Sequence, residues 1–327
     1  MLTVLIETLG RLFYILPVVP TQAQIEITNK CNLDCVMCPR EDLAVEYKHM
    51  DFDLFKKIIE RLNEVRLITL TGWGEPFMHP RIFDMIKMCK EKGFQVQLTT
   101  NGVFPSESIA EKIVNSGLDS ISFSIDTLNG NSKFGHKNNE AQNNIIKLLK
   151  GRNSRKPKIT IQSTIQNDGE DEIFGLIRWS ASVGIDRVNL GRLDQRFNKE
   201  LPRPSREEEK EILIKAGKLG KEIGIEVDCI QYAVGKGIQK EIYKILKHAL
   251  HRFGKYCLKT YTYVYINLNG DVTPCCGLPL YKIDNILHRK LKDIWQDRKF
   301  VEFREKQHEI CGKCDLWSIK NLSPKKT

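Results

Sequence analysis

QIEITNKCNLDCVMCPR, residues 24–40, joins a strand to a chemical site. QIEIT (24–28) reads as a β-strand, and Cys31, Cys35 and Cys38 follow it in a C-x3-C-x2-C loop. Three thiolates converging within so short a span can hold three irons of a [4Fe–4S] cube and leave the fourth open to an exogenous ligand. A structural zinc site calls for a fourth Cys or His nearby, and the nearest histidine in sequence is His49. Spacing alone therefore favours iron–sulfur and leaves zinc as the alternative.

Outward from this loop, strand-like and helical runs alternate. Strand candidates are 24–28, LITLTG (67–72), QVQLTT (95–100), SISFSID (120–126), KITIQSTI (158–165) and RVNLG (187–191). Helical patterns fall near 52–63, 80–92, 106–116, 139–150, 170–183 and 205–222. Repeated βα units predict a parallel sheet. Six units are fewer than the eight of a closed barrel. The expected fold is α/β, a partial (β/α)6 TIM-like barrel with a small C-terminal cysteine-rich domain, and its chemistry belongs at the strands' C-terminal ends. IEVDC (225–229) is a candidate further edge strand.

The 327 residues carry 51 basic and 41 acidic side chains, a net charge of +10, which suits an anionic partner without naming one. Ten cysteines are too few for a small disulfide scaffold. Eight of them cluster in two groups, as metal ligation in a reducing compartment requires. Cys89 and Cys229, in apolar surroundings, read as buried small hydrophobes. The opening residues lack the positive start and cleavage site of a secretory signal. As a helix they set Leu2, Leu5, Leu9, Leu12, Phe13 and Leu16 on a wide apolar face, to pack on the protein or on a membrane surface. A basic helical stretch at 237–253 reads as a solvated face or an anionic-partner site. The expected organisation is an amphipathic helix (1–20), a barrel (21–235) and a cysteine-rich domain (236–327).

Further motifs stand where a barrel places function. TGWGEP (71–76) follows the second strand, TTNG (99–102) the third and SID (124–126) the fourth. Together with the cysteine loop, in this order, they resemble the radical S-adenosylmethionine (radical SAM) superfamily. In that family the methionine amino and carboxylate groups of S-adenosylmethionine chelate the open iron, and reductive cleavage yields a 5′-deoxyadenosyl radical that abstracts hydrogen from substrate. The resemblance implies that Gly72, Trp73, Gly74 and Glu75 form the motif that receives the methionine ammonium, with Trp73 a departure from the commonest Gly-Gly-Glu-Pro form. It implies that Asn101, Ser124 and Asp126 face the carboxylate and ribose, although TTNG and SID also suit helix caps or turns. Gln162 and Ser163, with Leu190 and Gly191, are the implied ribose and adenine neighbours.

Cys257, Cys275, Cys311 and Cys314 form a second group, and VYINLNGDVTPCC, ending on Cys275 and Cys276, reads as a hairpin with an Asn-Gly turn. IWQDRKFVEFRE is expected to be one short helix that returns CGKC (311–314) to that hairpin. Paired cysteines also suit a zinc ribbon. After a radical SAM core, however, this pattern resembles the SPASM/Twitch extension. The resemblance implies one auxiliary [4Fe–4S] cluster on these four cysteines, active in electron transfer, with the adjacent Cys276 as the alternative to Cys275. SPASM/Twitch enzymes include peptide maturases, sugar or aminocyclitol dehydrogenases and sulfatase activators, and a separate leader-peptide-binding domain is not expected within this length. Implied partners are a flavodoxin or ferredoxin reductant and a peptide, sugar or lipid substrate. The expected location is cytoplasmic, with peripheral contact to the membrane's inner face. The competing reading is a non-catalytic zinc and nucleic-acid-binding protein, but the basic stretch lacks the interleaved aromatic residues that stacking recognition uses.

Overall fold

Strand after strand in this chain alternates an aliphatic with a polar side chain, which gives a sheet two chemically distinct faces. The computed structural model describes residues 19–43, 46–129, 137–152, 156–167, 169–195, 201–229, 257–311 and 314. Both the amphipathic segment at 1–18 and the basic stretch at 237–253 lie outside the described residues.

Seven strands, β1 (Gln22–Ile25), β2 (Leu67–Leu70), β3 (Gln95–Thr100), β4 (Ser120–Ser124), β5 (Lys158–Ile165), β6 (Arg187–Arg192) and β7 (Glu226–Cys229), pair in parallel in sequence order. The crossovers carry α1 (Phe52–Ile59), α2 (Ile82–Glu91), α3 (Ile109–Asn115), α4 (Asn138–Gly151), α5 (Glu170–Val183) and α6 (Arg206–Ile223). These are six βα units and a closing strand, an open partial barrel. Helix starts follow local chemistry. Asp51 caps α1 by accepting from the Asp53 and Leu54 backbone N–H groups, and Ser205 with Glu208 forms a capping box on α6.

The helix-facing side of the sheet is aliphatic: Ile25, Ile68, Leu70, Val96, Leu98, Ile121, Phe123, Ile159, Ile161 and Val188 are essentially wholly buried. Each such side chain contributes about 1.5–3 kcal/mol of transfer free energy. The inner face is polar. Register aligns Gln24, Thr69, Gln97 and Ser120 across β1–β4, and Ser124, Gln162, Asn189 and Asp228 across β4–β7. A closed eight-stranded barrel fills this space with branched apolar side chains. Here it is lined to receive a polar ligand.

The cysteine-rich segment continues the same sheet. Strand β8 (Tyr263–Ile266) pairs in parallel with β1, and β9 (Asp271–Thr273) and β10 (Asp284–Asn285) follow in antiparallel order. Gly270 closes the β8–β9 turn at φ 80°, a left-handed conformation that favours glycine. The stretch expected as one helix is two, α7 (Leu291–Trp295) and α8 (Arg298–Glu305). Between them Asp297 turns its carboxylate onto the Lys299 N–H and starts a new helix. A short α9 (Gln307–Ile310) leads into Cys311. Among the described residues no helix is long and apolar enough to cross a membrane.

Candidate active site

The first cysteine loop leaves β1 by an unexpected route. Glu26–Thr28 do not continue the ladder with β2. The Met50 N–H instead donates to the Ile27 carbonyl, and Asn29 binds Lys48 through backbone and side chain. The loop is thus clamped by residues 46–50, and Cys31, Cys35 and Cys38 stand half-buried at the mouth of the polar inner face. Burial pushes the Cys31 and Cys38 thiols up, while the backbone N–H groups of Leu33 and Arg40 bond to these two sulfurs and favour their thiolates.

GWGEP docks on this loop at van der Waals limits. The Gly74 N–H donates to the Thr28 carbonyl at 3.2 Å and the Glu75 N–H to the Lys30 carbonyl at 2.9 Å. A Cβ on Gly74 would lie 2.4 Å from the Lys30 oxygen, and one on Gly72 would lie 2.2 Å from Cγ of Glu26. Both positions therefore exclude a side chain. The Trp73 N–H donates to Oε1 of Glu26 at 3.1 Å, and burial raises the Glu26 carboxyl above its usual range.

Glu75 is only 2% exposed and is already engaged. Its Oε1 accepts from the Phe77 N–H and the Thr100 hydroxyl, and its Oε2 accepts from the Asn101 N–H. Before any ligand binds, Glu75 already ties the end of β3 to its own loop. Burial nonetheless pushes its pKa up to about 7. Asn101, so anchored, donates from Nδ2 to Oδ1 of Asn32 at 2.9 Å and reaches within 3.7 Å of the Cys31 sulfur. Three sequence motifs thus form one hydrogen-bonded unit.

Ser124 and Gln162 stand side by side, half-exposed on the inner face. Asp126 is buried and accepts from the Thr164 N–H at 2.9 Å. Leu190 turns its side chain away from the inner face. Its side chain is fully buried and shares the helix-facing parity of Val188, so Asn189, beside Gln162, occupies the inner face instead. Ser163 is likewise buried on the helix-facing side. Cys89 and Cys229 are buried as expected, and burial pushes the Cys89 thiol up to about 12.

The second cysteine group is organised by Gln307, which sequence reading missed. Its Oε1 accepts from the Cys257 N–H at 2.8 Å, and its backbone carbonyl accepts from the Cys311 N–H at 2.8 Å. The Cys314 N–H donates to the Cys311 carbonyl, and Cys257 and Cys314 are near enough for one thiolate to disfavour the other. Cys275 and Cys276 follow β9. The Gly277 N–H points at the Cys275 sulfur at 3.3 Å, and the Lys259 ammonium lies 3.7 Å from the Cys276 sulfur. Hydrogen bonding from Cys275, with Lys259 close by, pulls the Cys276 thiol well below its ordinary range. Cys276 thus has a counter-ion among protein side chains.

Between the two cysteine groups lies a pocket of about 250 Å³, lined by Glu26, Asn29, Arg40, Lys48, Trp73 and Leu280 among others. It touches the cysteine loop, the GWGEP loop and the β8–β9 turn, where Lys48 Nζ donates to Asn269 Oδ1 at 2.9 Å. Glu26 and Arg40 were also missed by sequence reading. Their signals were an acidic residue between two isoleucines and an arginine directly after the last cysteine of a ligand loop.

Comparison with known proteins agrees with this geometry. Residues 25–179 match the radical SAM superfamily and residues 257–315 match an iron–sulfur cluster-binding domain of the SPASM type. The chain is 26% identical over 314 residues to a tungsten-containing aldehyde ferredoxin oxidoreductase cofactor-modifying protein of Pyrococcus furiosus, covering 86% of this chain and 82% of that protein. It is 24% identical over 317 residues to an AdoMet-dependent heme synthase of Methanosarcina barkeri, covering 91% and 88%. In fold it resembles Streptococcus suis SuiB bound to the precursor peptide SuiA, with a TM-score of 0.69, 18% identity and coverage of 95% of this chain and 73% of SuiB. The non-catalytic zinc and nucleic-acid reading is set aside by the two family matches. This chain belongs to the radical SAM superfamily and carries a SPASM-type iron–sulfur domain after its partial barrel.

Proposed function

We propose that the chain is a radical SAM enzyme whose substrate is a peptide that seats one side chain in the pocket between its two cysteine groups. The observation that carries the enzymatic reading is the hydrogen-bonded unit of Cys31, Asn101, Glu75 and Gly74, which sets an open-ligand cysteine loop against a close-approach glycine motif. Half-buried thiols with N–H donors on two of their sulfurs fit a cluster held by Cys31, Cys35 and Cys38. A reduced [4Fe–4S] centre and S-adenosylmethionine, when bound, supply a 5′-deoxyadenosyl radical able to take hydrogen from an unactivated carbon. Gly72 and Gly74 let the motif close onto the cysteine loop, where S-adenosylmethionine would bind, Glu75 holds Asn101 in place, and Ser124, Gln162 and Asn189 would offer hydrogen bonds to ribose and base. Glu26 fixes the Trp73 backbone that walls the pocket.

Two features support a peptide. The pocket is small, and Leu280 in its lining is 64% exposed, an apolar rim for a substrate that extends beyond it. SuiB, similar in fold, is seen with a precursor peptide. The relatives over most of the chain are named for cofactor modification and heme synthesis, so a tetrapyrrole or other cofactor is the second reading. Anaerobically reconstituted protein, reduced and given S-adenosylmethionine alone, is expected to release 5′-deoxyadenosine and methionine slowly. Addition of its peptide substrate should accelerate that release and deplete the peptide. No release under any reductant would end the enzymatic reading, and acceleration by a tetrapyrrole but by no peptide would replace the substrate.

We further propose that Cys257, Cys275, Cys311 and Cys314 ligate the auxiliary cluster. Four thiolates satisfy four irons and leave no open position, which suits electron transfer. Cys276, beside the Lys259 ammonium, is left outside this set of four. Cys275→Ala is expected to lose about half of the iron and Cys276→Ala to retain it all. Iron analysis that gives the reverse order would exchange the two cysteines.

A further inference from the structure

Arg40 is 7% exposed, yet its guanidinium has little to satisfy it. Nη2 bonds Oδ1 of Asp34 at 2.6 Å, but the Asp34 side chain is 83% exposed. The Tyr47 ring lies 5.4 Å away, and Nε is buried with no hydrogen-bond partner. A buried N–H without an acceptor is destabilising, a buried charge more so, and a pair with an exposed carboxylate offsets little of either. The residue is nonetheless held beside the cysteines. Its backbone N–H bonds the Cys38 sulfur, and the Cys31 and Cys38 thiolates favour its charge although burial opposes it.

We propose that the Arg40 side chain supplies an N–H donor and a fixed counter-charge to the iron–sulfur centre of Cys31, Cys35 and Cys38, and so raises the reduction potential of that centre. The proposal rests on the reading that these three cysteines hold such a centre. Three thiolates around a [4Fe–4S] core make an anion, and reduction adds a further negative charge. A cation fixed beside it stabilises the reduced form more than the oxidised one. Hydrogen bonds to cluster sulfurs act in the same direction. Arginine suits the position better than lysine, because a planar, weakly hydrated guanidinium can stay buried while Nη2 holds Asp34 and Nε remains available. This assigns a partner to Nε, which is buried with no hydrogen-bond partner in the protein.

The experiment is a redox titration of full-length, reconstituted protein without substrate, followed by the paramagnetic signal of the reduced centre. R40Q is expected to lower the reduced-to-oxidised ratio at a fixed potential about tenfold, which for one electron is about 59 mV. R40K should fall between R40Q and wild type, and the auxiliary centre should keep its potential in both. An R40Q protein with full iron and an unshifted potential overturns the proposal, as does an equal shift of both centres. Should R40Q lose the iron of the first site, R40K decides. Iron retained with a lowered potential supports the proposal, and iron retained with the wild-type potential overturns it. Wild-type protein with no centre at these cysteines would instead overturn the iron–sulfur reading itself.

Discussion

Replacing Cys31, Cys35 and Cys38 together by Ala is expected to lower iron from about eight to about four atoms per chain, with sulfide falling in parallel. It should also abolish release of 5′-deoxyadenosine. The loss should be confined to one centre because the two cysteine groups are held by separate supports. Asn29, Asn32 and the 46–50 segment hold the first loop through hydrogen bonds that involve no thiol, and Gln307 holds the second. None of the three thiols belongs to the apolar core behind the sheet, so far-UV circular dichroism should be unchanged. Iron and sulfide analysis with electron paramagnetic resonance checks the result. Unchanged iron, or stoichiometric zinc without sulfide, would remove the cluster from this loop.

Where local patterning governs, the sequence shows the fold directly. Residues 95–100, 158–165 and 170–183 carry clean periodicities and form β3, β5 and α5 at those bounds. Where a distant segment competes, it does not. The strand read at 24–28 runs from Gln22 to Ile25, because Ile27 and Thr28 pair with residues 48–50 instead of β2. Pairing of β8 with β1 joins segments about 240 residues apart, and nothing in either run announces it. The site divides in the same way. Cysteine spacing and close-approach glycines are visible as residue types, since no other residue can replace them there. Arg40, Glu26 and Gln307 matter through what folds against them. Parity separates Leu190 from its neighbour: Gln162 and Asn189 are partners across the ladder, and one residue further on the side chain turns to the helices.

Glu75→Ala is expected to destabilise the protein by roughly 3–5 kcal/mol even without S-adenosylmethionine, because each buried donor left unpaired costs about 1–3 kcal/mol. Those donors are the Phe77 N–H, the Thr100 hydroxyl and the Asn101 N–H, all bound by a carboxylate whose residue is 2% exposed. Had Glu75 only received the methionine ammonium, the apo-protein would melt as wild type, and cofactor affinity alone would fall by roughly 1.5–3 kcal/mol. Thermal melts of apo-protein separate the two. The pH dependence gives a second check. The folded-state pKa of Glu75 is pushed up to about 7 by burial, above the ordinary 4.5. Its contribution to stability is therefore full at pH below the unfolded value and fades as pH rises towards 7. The destabilisation caused by Glu75→Ala should shrink by about 2 kcal/mol between pH 5.5 and pH 8. A loss that grew with pH would mean that the hydrogen bonds to the ionised carboxylate outweigh its burial. The Asn101 N–H and Thr100 hydroxyl would then hold Glu75 as a permanent anion beside the cysteine loop.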